Sequence, residues 1–163
     1  MKQLTLCAAL LFAGGLCRCD TPSAALPDLP LPVKQQPLAG KLLGAPWAAA
    51  SALVRFNGGS KGLVEIYETA ITCAAPSTHP DGEKRVFFQT AWRAGNEYDF
   101  DVLSDTALLV VHEANNMKSH VINQGRVEIV TAPAKGAGLG KLRLRAKLSA
   151  DIIEGEVEVQ VCD

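Results

Sequence analysis

The chain has 163 residues, 48% of them hydrophobic and 20% charged, with a formal net charge of −1. Those proportions are enough for one packed domain and argue against global disorder. The near-zero charge argues against a nucleic-acid binder, which needs a basic face, and no apolar run reaches the roughly 20 residues of a membrane-spanning helix.

Met1-Lys2 is a short positive segment, and Leu4 to Leu16 is an apolar run of 13 residues. That is the length of the hydrophobic part of a signal peptide and too short to span a bilayer. Ala13, Gly14 and Gly15 are small and offer a cleavage site after Gly15. Residues 1–19 are therefore expected to direct export, to the periplasm, the outer membrane or the cell surface. Cys17 and Cys19 close this region and are candidate lipid-attachment sites. Leu16 and Arg18 precede them, where a bacterial lipoprotein carries a small residue. The alternative is a cleaved, soluble exported protein. Prolines at 22, 27, 30, 32 and 37 punctuate residues 20–37, remove backbone donors and fix φ. This predicts an extended spacer that contributes little to the fold. Without Lys2 and Arg18, fourteen basic residues face seventeen acidic ones, a mildly acidic balance that suits a soluble domain.

Residues 38–163 show no sustained helical stripe and repeated alternation instead. Strands are expected over 38–43, 47–56, 62–69, 85–92, 98–102, 107–112, 120–131, 141–149 and 154–162, with Asn123-Gln124-Gly125 able to divide 120–131 in two. Gly44-Ala45-Pro46, Asn57-Gly58-Gly59, His79-Pro80-Asp81-Gly82 and Asn115-Asn116 supply the turns. The clearest pair is at the end. Leu142, Leu144, Ala146 and Leu148 alternate with Arg143, Arg145 and Lys147, and Val157, Val159 and Val161 alternate with Glu156, Glu158 and Gln160. Folded as a hairpin, these strands set Lys and Arg opposite Glu on the wet face. Eight to ten strands with short connections predict an all-β fold, an antiparallel sandwich or a meander barrel. Cys73 and Cys162 are the only cysteines of this region, and in an oxidising compartment they are expected to pair.

Chemical motifs are sparse. Gly58-Gly59-Ser60-Lys61-Gly62 matches G-x-S-x-G, but a strand follows where a nucleophile elbow needs a helix. Glu97, Asp99, Asp101 and Asp105 could offer oxygen ligands to calcium, yet their spacing lacks the glycine and terminal glutamate of an EF-hand loop. His79 lies in a turn, and His112 and His120 could meet across a hairpin without an obvious third zinc ligand. Lys135 to Gly140 is glycine-rich but precedes a strand, whereas phosphate cradles use a helix N-terminus. No catalytic, cofactor or metal site is expected from these residues, and no enzyme.

Gly40-Lys41-Leu42-Leu43-Gly44-Ala45-Pro46-Trp47, with Ser51-Ala52 just after, resembles the opening of many small bacterial envelope proteins, often lipoproteins. In them a signal and a short spacer precede G-x-x-x-G-x-P-W and a compact all-β domain. The resemblance implies an exported β-domain and assigns no site residues. A second likeness is to lipocalins, which carry Gly-x-Trp on the first strand of a barrel. Gly44 and Trp47 are one residue too far apart for that motif, and the terminal helix is missing. The expected function is a non-enzymatic envelope protein whose β-domain binds an envelope or extracellular macromolecule, or has a structural role, with membrane association through an N-terminal lipid. The alternative is a lipocalin-like carrier of a small apolar ligand.

Overall fold

A computed structural model describes residues 33–58, 61–74, 80–101, 107–113, 116–122 and 124–162. The described residues form strands and turns, with no helix. The strands are β1 (Ala39–Leu42), β2 (Ala45–Ala48), β3 (Ser51–Phe56), β4 (Lys61–Tyr67), β5 (Lys84–Ala91) and β6 (Glu97–Asp101), then β7 (Ala107–Glu113), β8 (Asn116–Val121), β9 (Gln124–Thr131), β10 (Leu139–Leu148) and β11 (Asp151–Val161). They join one sheet in the order β6-β9-β10-β11-β3-β4-β5-β7-β8, with the β1–β2 hairpin attached to β11. The sheet curls into a half-barrel. Neighbours are antiparallel except β11 and β3, which run parallel with Gln160 beside Leu53 and Val161 beside Val54.

Alternation sends one residue in two to the concave face. Val54, Val64, Ile66, Val86, Phe88, Val127, Ile129, Leu142, Leu144, Ile153 and Val159 are all buried there in one cluster. Each such side chain contributes about 1.5–3 kcal/mol on leaving water. Two tryptophans flank the cluster at opposite ends of β5. The buried Trp47 reaches from β2 to the start of β5, where its Nε1 donates to the Lys84 carbonyl at 3.0 Å. Trp92, just after β5, lies over Gly140 and beside Gly62, where any side chain would collide with its indole or with Val54.

The final hairpin sets Lys and Arg opposite Glu as expected, with Lys141 opposite Glu158, Arg143 opposite Glu156 and Arg145 opposite Glu154. It turns at Ser149-Ala150, however, and residues 151–153, expected to lie in the turn before a strand at 154–162, already pair in β11. The pair Cys73–Cys162 is bonded, with Cα atoms 5.4 Å apart. The stretch 47–56 differs from its expectation as one strand. It breaks at Ala49-Ala50 because the chain changes partners, Ala49 N–H donating to the Leu38 carbonyl and Ala50 N–H to that of Tyr67. The stretch 120–131 is divided between β8 and β9, with Ile122 buried between them.

The spacer expected over 20–37 ends earlier than its prolines suggest. Val33 is buried, Gln36 accepts from Glu156 N–H at 2.7 Å, and Leu38 N–H donates to the Glu156 carbonyl at 3.0 Å. Pro37 pairs in parallel with Glu156, a place that costs no donor because it lies outside the named strands. This approach requires Gly155. Its φ is +145°, and a Cβ there would stand 2.5 Å from the Gln36 carbonyl oxygen and 2.7 Å from Leu38 Cα. Residues 33–37 are therefore part of the domain, which corrects the reading of them as a dispensable spacer.

Candidate functional site

The outer face of β9, β10 and β11 is a lattice of paired charges. Arg143 lies between Glu128 (3.1 Å) and Glu156 (3.4 Å), and Lys141 reaches Glu156 diagonally at 3.3 Å. Arg145 and Lys34 share Glu154 at 3.8 and 3.5 Å. Desolvation acts against the charge on Arg143, and the two facing carboxylates more than reverse it, raising its pKa above the ordinary value. Glu156 shows the converse. Desolvation favours its neutral form, Lys141 and Arg143 outweigh that, and the carboxyl sits below its ordinary value. On β3, β4 and β5, Glu65 takes Arg55 and Arg85 at 3.4 and 3.3 Å.

The described carboxylates of the calcium reading are committed in the same way. Glu97 and Asp99 both meet Arg126, Asp99 at 3.5 Å. Asp105 and the side chain of Asp101 lie outside the described residues. Among the described residues no three His, Cys, Asp or Glu come together as metal ligands. His112 stands opposite Met117 and His120 opposite Leu109, so the two histidines are not cross-strand partners. His79, Ser60, Cys17 and Cys19 lie outside the described residues. Of the glycine-rich stretch 135–140, the first part makes a turn closed by Ala137 N–H to the Ala134 carbonyl, and Leu139 and Gly140 open β10.

The disulfide organises a second, smaller core on the convex face. After β4 the chain folds back as a strap over Leu53 and Tyr67. Ser51 Oγ donates to the Thr69 carbonyl and accepts from Ile71 N–H, and Cys73 N–H donates to Gln160 Oε1 at 3.2 Å. Leu53, Tyr67 and Cys162 are buried beneath Ile71 and Cys73. The buried Glu83 carboxylate accepts from Thr69 Oγ1 and fastens the strap's far side. An open depression of about 480 Å³ lies beside the disulfide, lined by Cys73, Gly136, Gly138, Leu139 and Gln160 among others. A second, of about 250 Å³, lies where Gln35 to Pro37 cross Lys141 and Glu156.

Sequence reasoning missed one feature entirely. The two-residue turns Leu43-Gly44 and Ser149-Ala150 lie on the same rim, joined where Gly44 N–H donates to Asp151 Oδ2 at 2.5 Å. Leu43 and Ser149 have φ of 52° and 54°, the positive-φ positions outside glycine among the described residues. The available signal was a leucine in the place where a tight hairpin prefers asparagine or glycine.

Fold and surface together define a single all-β domain, disulfide-bonded, with a packed concave face and a charge-paired convex one. No protein-family model, curated protein or solved structure matches the chain.

Proposed function

We propose that this chain is a non-enzymatic exported protein of the cell envelope that works through the outside of its β-domain, by binding a macromolecule or by a structural role. The observation that carries this reading is the occupied concave face, where Phe88, Ile129, Leu142, Leu144 and Ile153 fill the space a carrier would leave for its ligand. The disulfide is compatible with an oxidising compartment. The single continuous strand order supports an incompletely closed barrel over two stacked sheets. Within this reading Cys17 or Cys19 carries a lipid that holds the domain at a membrane.

Native mass spectrometry of the protein purified from its own envelope tests the proposal. The expected mass is polypeptide plus any covalent lipid. A stoichiometric apolar molecule released on unfolding would overturn this reading in favour of the carrier.

A further inference from the structure

We propose that the rim formed by the Leu43-Gly44 and Ser149-Ala150 turns is a membrane-docking surface that takes an anionic lipid layer. The inference rests on the envelope reading and names the surface that reading leaves unspecified.

Leu43 is unfavourable for folding in two respects at once. Its φ of 52° is one that asparagine and glycine adopt more readily, and its side chain is 39% exposed. Ile152, in the strand that leaves the neighbouring turn, is 37% exposed. The Gly44–Asp151 hydrogen bond locks the two turns together, so both apolar side chains belong to one rigid rim. Two cations flank them. Lys147 stands opposite Ile152 in the ladder, and Lys41 precedes Leu43 by two residues. Neither lysine has an ion-pair partner among the described residues, in contrast to the paired charges of the β9–β11 face. The rim also carries one carboxylate, Asp151, which accepts from the Gly44 amide, so its two lysines outnumber its acids.

A lipid surface fits this patch better than a protein does. Two aliphatic side chains fall far below the roughly 800 Å² that each partner of a standard protein interface contributes. A small apolar keel between lysines is the arrangement that enters the headgroup layer, with each lysine adding attraction to anionic lipid. The chain's own course agrees. Lys34, next to the first described residue, meets Glu154, two positions from Ile152, so the described chain enters the domain beside this rim.

Hydrogen exchange of the full chain, with and without vesicles of phosphatidylcholine containing phosphatidylglycerol, tests the proposal. The local readout is independent of any binding by the apolar residues 4–16. Slowed exchange is expected over 41–44 and 149–152. In Leu43→Asn that slowing is lost at both turns, as expected when the leucine side chain no longer leaves water for lipid. Lys41→Gln with Lys147→Gln should lessen the slowing at 41–44 and 149–152 on the anionic vesicles and leave exchange with pure phosphatidylcholine unaffected. Leu43→Asn should melt at or above the parent temperature, so its loss of docking is not a loss of fold. Unchanged exchange at both turns, or slowing that persists in Leu43→Asn, overturns the rim as a docking surface. The native-mass result decides the envelope reading separately.

Discussion

Tyr67 is buried beneath the Ile71–Cys73 strap, with Glu65 and Arg85 in contact with its hydroxyl. Burial, reinforced by the Glu65 carboxylate and opposed by Arg85, pushes the phenol up to about 12. An unfolded chain loses that proton near pH ~10. Above that pH the folded state holds a proton the unfolded state has released, so stability falls as pH rises until the folded phenol also ionises. The loss amounts to at most about 3 kcal/mol. Tyr67→Phe should flatten this alkaline decline, and the phenolate absorbance that the substitution removes should be the part that develops only near pH 12. Leu43 offers a test of opposite sign. Leu43→Asn relieves the positive φ and should raise stability by about 1 kcal/mol in urea unfolding. Gly155→Ala should lower it by about 3 kcal/mol, because the new methyl group meets backbone rather than a movable side chain.

Residues 33–38 belong to the domain although they form no strand, only an isolated bridge at Pro37. They supply both backbone partners of Glu156 and cover Gly155. A chain beginning at Ala39 should therefore melt about 5 °C or more below one beginning at Val33, the shift expected from losing a kcal/mol or more in a domain of this size. The strap is the other irregular element, and the disulfide holds its end. Cys73→Ser with Cys162→Ser opens a loop of 89 residues. In the chain-entropy model that costs about 4–5 kcal/mol, measurable as a lowered urea midpoint. The pairing of the final hairpin was legible over Lys141 to Arg145 because there one face is apolar and the other sets Lys and Arg opposite Glu, whereas its turn at Ser149-Ala150 was not. The disulfide was legible by compartment and count. The 33–38 segment was not, because prolines advertise an unpaired backbone and its pairing is governed from a distance by Gly155. A glycine inside an otherwise alternating strand was the signal that another backbone passes close by. The docking rim was equally hidden, since a turn residue's φ is not written in hydrophobic alternation.

Across the whole molecule the convex charges form linked rows, with Arg143 between two carboxylates and Glu156 between two cations. Glu156 has its pKa lowered in the folded state, so its contribution is present above the ordinary carboxylate range and is lost as pH falls through the folded value. Unfolding midpoints should drop below about pH 4, and added salt should lessen the difference between pH 7 and pH 3 by screening these exposed pairs. β11, the last described strand, lies inside the sheet order with β10 on one side and both β3 and the β1 hairpin on the other. It is the sole described link in the strand order between the half formed by β6, β9 and β10 and the half formed by β3, β4, β5, β7 and β8. Folding therefore cannot proceed vectorially from the N-terminus. Early strands emerge without their central partner, and the slow step is the long loop closure that brings the chain's end between its beginning and its middle. A chain cut after Leu148 should show no cooperative unfolding transition. Until β11 is in place the preceding strands should stay accessible to protease as an extended thread.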